Sequence, residues 1–187
     1  MKEIKTALLI FAVFSILLGL IYPAVITGIS QIAFARQANG NLIVENGKTI
    51  GSELIGQNFT SPGYFHGRPS AIGYNSITSD GSNLGPTNQE LTHQVDQRIR
   101  QIKYEESLPA NSTVPADLVL ASGSGLEGYI YEDSARMQVP RIAKTRGFSE
   151  TEVENLIENN TERSSLGTGE TMVNVLKLNI ALDNLRK

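Results

Sequence analysis

Between Lys5 and Arg36 the chain carries no charged residue, a run of 30 positions. Within it, residues 7–29 read ALLIFAVFSILLGLIYPAVITGI, 23 residues that are overwhelmingly apolar. At a rise of about 1.5 Å per residue they make a helix about 34 Å long, enough to cross a hydrocarbon core of about 30 Å. Hydrocarbon leaves exposed backbone polar groups unsatisfied, so a helix is the form expected there. Pro23 is expected to kink it near one end, and Tyr22 suits the headgroup level. Lys2 and Lys5 hold the short N-terminus, residues 1–6, on the cytoplasmic side, which places everything after Arg36 outside.

The competing reading is a cleaved signal peptide. MKEIK would be its n-region, and Ala33-Phe34-Ala35 is a small-x-small pattern fit for cleavage after Ala35. The apolar run exceeds the 7–15 residues usual for such a segment, which favours an uncleaved anchor in a cell membrane. Beyond a linker at 30–41, residues 42–187 are expected to form one extracytoplasmic α+β domain. Residues 36–187 hold 14 of the 16 basic and 18 of the 19 acidic residues, a net charge of −4.

Composition removes whole classes of function. With no cysteine there is no disulfide framework, zinc-thiolate site or cysteine nucleophile. A net charge of −3 speaks against nucleic-acid binding. His66 and His93 are the only histidines, too few for a multi-histidine metal site.

Along the domain, Asn46-Gly47 between Leu42-Ile43-Val44 and Thr49-Ile50 signals a hairpin. Residues 59–86 are rich in Gly, Ser, Pro and Asn, with Tyr64, Phe65 and Tyr74 as anchors. They are expected to form an ordered surface loop, because disordered segments are poor in aromatics. Thr87-Asn88-Gln89-Glu90 reads as a capping box. It opens a helix with Leu91, Val95, Ile99 and Ile102 on one face, while Asp96, Arg98, Arg100 and Lys103 face away. Residues 108–115 read as a linker-like turn. Asp117 to Ala121 suits a buried strand. Ser134 to Arg146 is expected to be helical, split or kinked by Pro140 and stopped by Gly147. Ser149-Glu150-Thr151-Glu152 is a second capping box, ahead of Val153, Leu156 and Ile157. Met172 to Lys177 reads as a strand, and Leu178, Ala181, Leu182 and Leu185 as a terminal helix.

No pattern supplies an active site. Gly123-Ser124-Gly125-Leu126-Glu127-Gly128 matches the dinucleotide glycine pattern, but Tyr129-Ile130-Tyr131 follows where a helix should open. A tight glycine turn, with Ser122, Gly123, Ser124 and Gly125 as its candidate functional residues, is the simpler reading. Ser124 is no nucleophile elbow, because Ser122 stands where glycine is needed. His66 suits a loop hydrogen bond. Arg68 is suited to a carboxylate, either Asp80 or Glu90 internally or one on a partner.

Resemblance supplies what the chemistry does not. Stretches that carry it include Ile55-Gly56-Gln57-Asn58-Phe59, Tyr64-Phe65-His66-Gly67-Arg68-Pro69-Ser70, Gly81-Ser82-Asn83-Leu84 and Val114-Pro115-Ala116-Asp117-Leu118-Val119. Ala121-Ser122-Gly123-Ser124-Gly125-Leu126, Gln138-Val139-Pro140-Arg141-Ile142-Ala143 and Val173-Asn174-Val175-Leu176 continue it. Over nearly its whole length the chain resembles the C-subunit family of the Kdp-type potassium-transporting ATPase. It departs at Leu120 and Glu127-Gly128-Tyr129. The resemblance implies an accessory subunit of a P-type pump. The complex hydrolyses ATP with Mg and imports potassium, and this chain itself binds no cofactor. A separate subunit of that family carries the phosphorylated aspartate, a channel-like one carries the potassium filter, and a further small membrane subunit is expected. This chain has neither an Asp-Lys-Thr-Gly nor a Thr-Val-Gly-Tyr-Gly sequence. The family's C subunit is described as a catalytic chaperone that raises ATP affinity. Leu54-Ile55-Gly56-Gln57 distantly resembles the signature loop of ABC ATPases, which makes Gln57 a nucleotide-related candidate, though on the wrong side of the membrane. Tyr64, Phe65, His66, Arg68, Ser82 and Asn83 are the candidate partner contacts. The alternatives are a membrane-anchored solute-binding or scaffolding module and a secreted enzyme using His66 or Ser124.

Overall fold

The computed structural model describes residues 2–45, 47–163 and 170–185. Two compact units divide at Leu42, residues 1–42 and 43–187.

The first unit is helical. Lys2–Ala33 (α1) is long and apolar enough to cross a membrane, and none of its residues is buried within the chain. Through Leu17–Ile21 the winding loosens to a π-helix, where the Tyr22 N–H bonds the Leu17 carbonyl five residues back. Pro23 follows at once. Its ring cannot donate and would crowd the carbonyl four residues earlier, and the wider π turn relieves that conflict without ending the helix. Ala35–Ala38 (α2) adds one turn, so helix occupies part of the stretch expected as a linker.

The second unit is α+β. Strands Leu42–Glu45 (β1) and Lys48–Ser52 (β2) form a two-stranded sheet. Gly47 takes the positive φ of 76° that the turn requires, while Asn46 lies outside the described residues. A second sheet has the order β3-β5-β4, all antiparallel, from Tyr129–Tyr131 (β3), Thr161–Arg163 (β4) and Thr171–Asn174 (β5). Ile130 pairs with Val173, and both are fully buried. Around this sheet pack Ala116–Val119 (α4), Glu132–Met137 (α5), Val139–Arg146 (α6), Glu150–Asn160 (α7) and Val175–Asn184 (α8). Gln89–Glu105 (α3) lays its half-buried apolar face on the same body. Phe65, Ile130, Ile142, Val153, Ile157, Leu178 and Leu182 form the centre of the core.

Several boundaries differ from the sequence expectation. Asn88, not Thr87, caps α3, its side chain accepting the Glu90 N–H at 2.8 Å. Asp117 to Ala121 is not a strand, because its residues open the short helix α4. There the Asp117 carboxylate accepts from the Tyr131 N–H at 2.9 Å and from the Ser134 hydroxyl. A short, mostly apolar run fits either period, and only that long-range pairing decides between them. The strand expected from Met172 to Lys177 ends at Asn174, whose side chain caps α8 by accepting the Lys177 N–H at 3.1 Å. Residues 134–146 are two helices that part at Gln138, with Pro140 in the first turn of α6, where its missing donor costs nothing. Gly147 ends α6 at φ 71°. The second capping box stands as read, Ser149 and Glu152 each bonding the other's backbone.

Candidate functional site

The irregular loop is organised by buried polar bonds rather than by regular structure. Phe65 is fully buried, and the Asn179 side chain holds its backbone on both sides, accepting from Phe65 N at 2.8 Å and donating to Phe65 O at 3.0 Å. Gln138 does the same for the next residue. Its Oε1 accepts from His66 N at 2.8 Å and its Nε2 donates to His66 O at 3.2 Å. Arg141 then ties the loop to the protein. Its guanidinium bonds Glu106 Oε1 and Gln138 Oε1, each at 2.8 Å, and the carbonyls of Tyr64 and Pro62. The Glu106 and Arg141 side chains are 3% and 7% exposed. The further bonds of the guanidinium support this buried pair, while Glu106 Oε2 is buried without a partner.

Tyr64 stands under the Arg146 guanidinium, 4.5 Å from ring centre to charge, and donates to Asp183 at 3.0 Å. Of the two expected partner contacts in this stretch, Phe65 is fully buried and Tyr64 half-buried, and both anchor the loop, because aromatic area in an irregular loop is its main source of apolar burial.

His66, Arg68 and Gln57 meet at a cavity of about 300 Å³. Four residues of α3 line it, Arg98, Gln101, Ile102 and Glu105, spaced as one helical face. Arg98 therefore does not face away as its charge suggests. It is half-buried and donates to Val119 O at 2.9 Å. His66 Nε2 lies 3.0 Å from Ser61 O, and Nδ1 lies 3.9 Å from Glu105. Burial, then the Arg141 charge, lower the His66 pKa against the Ser61 bond and Glu105. Burial raises that of Glu106 against the pull of Arg141. Burial and the Glu127 charge push the Tyr74 hydroxyl up to about 12, and it donates to Arg68 O. Arg68 forms neither internal pair expected of it. Asp80 binds Asn83 at 2.9 Å and the Gly81 N–H at 2.8 Å, and Glu90 accepts from Gln94 at 2.9 Å.

The glycine turn abuts this loop. Ser122 N donates to Pro69 O at 3.1 Å, and Ser70 Oγ to Gly125 O at 2.7 Å. Gly125 sits at φ 68°, where an added Cβ would stand 2.6 Å from Ile72 and 2.7 Å from Asp80 O. Ser124 Oγ accepts the Leu126 N–H at 3.1 Å, a local turn bond. Gly128 leads into β3 and not into a helix, so the turn lacks the helix N-terminus that holds a pyrophosphate. Ser82 and Asn83 lie outside the cavity, Asn83 at φ 55°. Gln57 donates to Ile50 O at 3.0 Å, fixing the hairpin to the loop. Glu106, Gln138, Asn179 and Arg98 are the site residues that residue-by-residue reading missed. Gln138 and Arg141 lay in a recognised stretch, but their partners are 72 to 79 positions away.

Among the described residues no group of three or more His, Cys, Asp or Glu is placed to hold a metal ion. The fold and site define a class: a chain with one membrane-length apolar helix and an α+β domain built around a pinned, glycine-rich loop. The family model for KdpC, the K+-transporting ATPase c chain, matches residues 4–184. A protein of Mycobacterium tuberculosis (strain H37Rv) is 46% identical over 187 residues, covering 98% of this chain and 99% of its own. One of Geotalea uraniireducens is 47% identical over 192 residues and the full length of both. One of Geobacter sulfurreducens is 47% identical over 190 residues and 99% of each. All three are named potassium-transporting ATPase KdpC subunit. The chain belongs to the KdpC family, subunits of the Kdp potassium-transporting ATPase.

Proposed function

We propose that the chain is a non-catalytic accessory subunit of the Kdp pump. In this reading α1 spans the membrane with its N-terminus in the cytoplasm, and the α+β domain docks outside it on the channel-like potassium subunit through residues 59–86. The observation that carries the docking is the loop itself: its backbone is bonded to Asn179, Gln138 and Arg141, yet its outer residues stay exposed, Ile77 to 90%. A loop anchored at these points loses less conformational freedom on binding than an untethered one.

Any effect on ATP affinity is indirect, because ATP is bound on the other side of the membrane. Helix α1 would bias one conformational state of the ATP-hydrolysing subunit, with a coupling of about 1–3 kcal/mol. The acidic domain enriches cations near the outer mouth, an effect that salt weakens. Reversing the sign of its surface acids should lower potassium affinity at low ionic strength, and unchanged affinity would remove that steering role.

The test of the main reading is purification of a C-terminally tagged copy in mild detergent from potassium-starved cells of its own host, followed by intact masses. Full-length chain with two larger membrane subunits, one a P-type ATPase, is expected. A lone species beginning at Arg36 would overturn the anchor and the assembly together.

A further inference from the structure

Arg68 and Arg98 line the same cavity. Neither has a carboxylate within 4.0 Å among the described residues. Arg68 makes one long bond, 3.4 Å to Leu120 O, and its Nε is buried with no partner. Arg98 donates to Val119 O at 2.9 Å and to Gln94 at 3.4 Å. Each guanidinium offers five N–H donors, so both are left with donors to spare. Of the acids of the same cavity, Glu106 pairs with Arg141 through Oε1 at 2.8 Å while its Oε2 is buried without a partner, and Glu105 accepts from Gln101 at 2.8 Å. Arg68, Arg98 and the Arg141 that pairs with Glu106 outnumber these two carboxylates, in a chain whose net charge is −3.

We propose that this cavity receives a carboxylate side chain of the channel-like potassium subunit, clasped by Arg68 and Arg98. The proposal rests on the docking reading above and names the chemistry of its contact. A planar carboxylate matches the guanidinium fork in two parallel bonds. A doubly charged phosphate would meet Glu105 and Glu106 on the facing lining at twice the repulsion. The site is built before the partner arrives: Tyr74 holds Arg68 O, Ser122 holds Pro69 O and Gln138 holds His66. Ser70, Gly73 and Tyr74 line it from the same loop that the docking reading presents to the pump.

The experiment uses the full-length tagged chain, co-expressed with the other subunits and washed in mild detergent from about 0.05 to 0.5 M salt. Arg68→Met with Arg98→Met should retain the potassium subunit about tenfold less well than the parent chain, and Arg68→Lys should recover part of the loss. Melting of each isolated variant reports folding, and Arg68→Met alone decides the matter if the double variant unfolds. Equal retention at every salt concentration would overturn the clasp and leave the docking reading standing. A parent chain that retains no potassium subunit would overturn the docking reading itself. A melting rise with about 10 mM sodium glutamate in the parent chain, absent in Arg68→Met, would assign the cavity to a free carboxylate and overturn the partner side chain.

Discussion

Two arginines line the cavity and a third, Arg141, bonds Glu106 and Gln138 of its lining, and the two sets are used in opposite ways. Around Gln138, Arg141 spends its donors on Glu106, Gln138 and the carbonyls of Pro62 and Tyr64. Around the carbonyls of Val119 and Leu120, Arg68 and Arg98 hold three bonds between them, two of those at 3.4 Å. The first group spends its guanidinium donors within the protein, with Glu106 Oε2 left unpartnered, and fastens an irregular loop to a helical core. The second is open, with cationic capacity that nothing in the described chain consumes. Charge that is fully paired inside a protein serves its architecture, whereas charge left short of partners in a cavity is available to another molecule.

The contrast breaks first at Arg141. Arg141→Met leaves Glu106 buried without its partner and should lower the unfolding free energy by about 3–5 kcal/mol, read from denaturant melts of the full chain in detergent. A loss below about 1 kcal/mol would show that Asn179, Gln138 and Phe65 hold the loop without it. Gly125→Ala tests the turn on which the loop rests. A methyl group at φ 68° against Ile72 and Asp80 should cost about 3 kcal/mol.

Smaller effects sharpen the comparison. Ser149→Ala, far from the cleft, should cost about 1 kcal/mol by removing the α7 cap, a yardstick for an ordinary local change. Arg68→Met should cost about 1 kcal/mol or less, since it forfeits one long hydrogen bond. A loss equal to that of Arg141→Met would make the open group structural after all.

The pH dependence is the finest test. The folded-state pKa of His66 lies below its ordinary 6.5, so the unfolded chain binds the extra proton in that window. Stability due to His66 is thus present above pH 6.5 and lost as pH falls through the folded value. Glu106 has the opposite sign. Its folded value lies above the ordinary 4.5, so the folded chain binds the extra proton and gains stability as pH falls through that value. His66→Gln should therefore flatten the fall in melting temperature as pH drops below 6.5. An unaltered slope would mean that His66 protonates in the fold without penalty.

The sequence by itself determined the elements whose physics is local. A charge-free run of 30 residues has one way to satisfy its backbone in hydrocarbon, and α1 follows from that alone. Ser149 and Glu152 cap a helix because both partners lie within four positions, and Gly147 ends one because its φ suits glycine. Only the tertiary structure decided that Asp117 opens a helix rather than a strand, since its partners are 14 and 17 residues on. It alone buried Phe65 and brought Arg98 to the cavity, through contacts that cross up to 114 positions. The loop has no period to read, so its conformation resides in the side chains of Gln138, Arg141 and Asn179. A bond between distant residues leaves no spacing in the chain, and the cleft is made of such bonds.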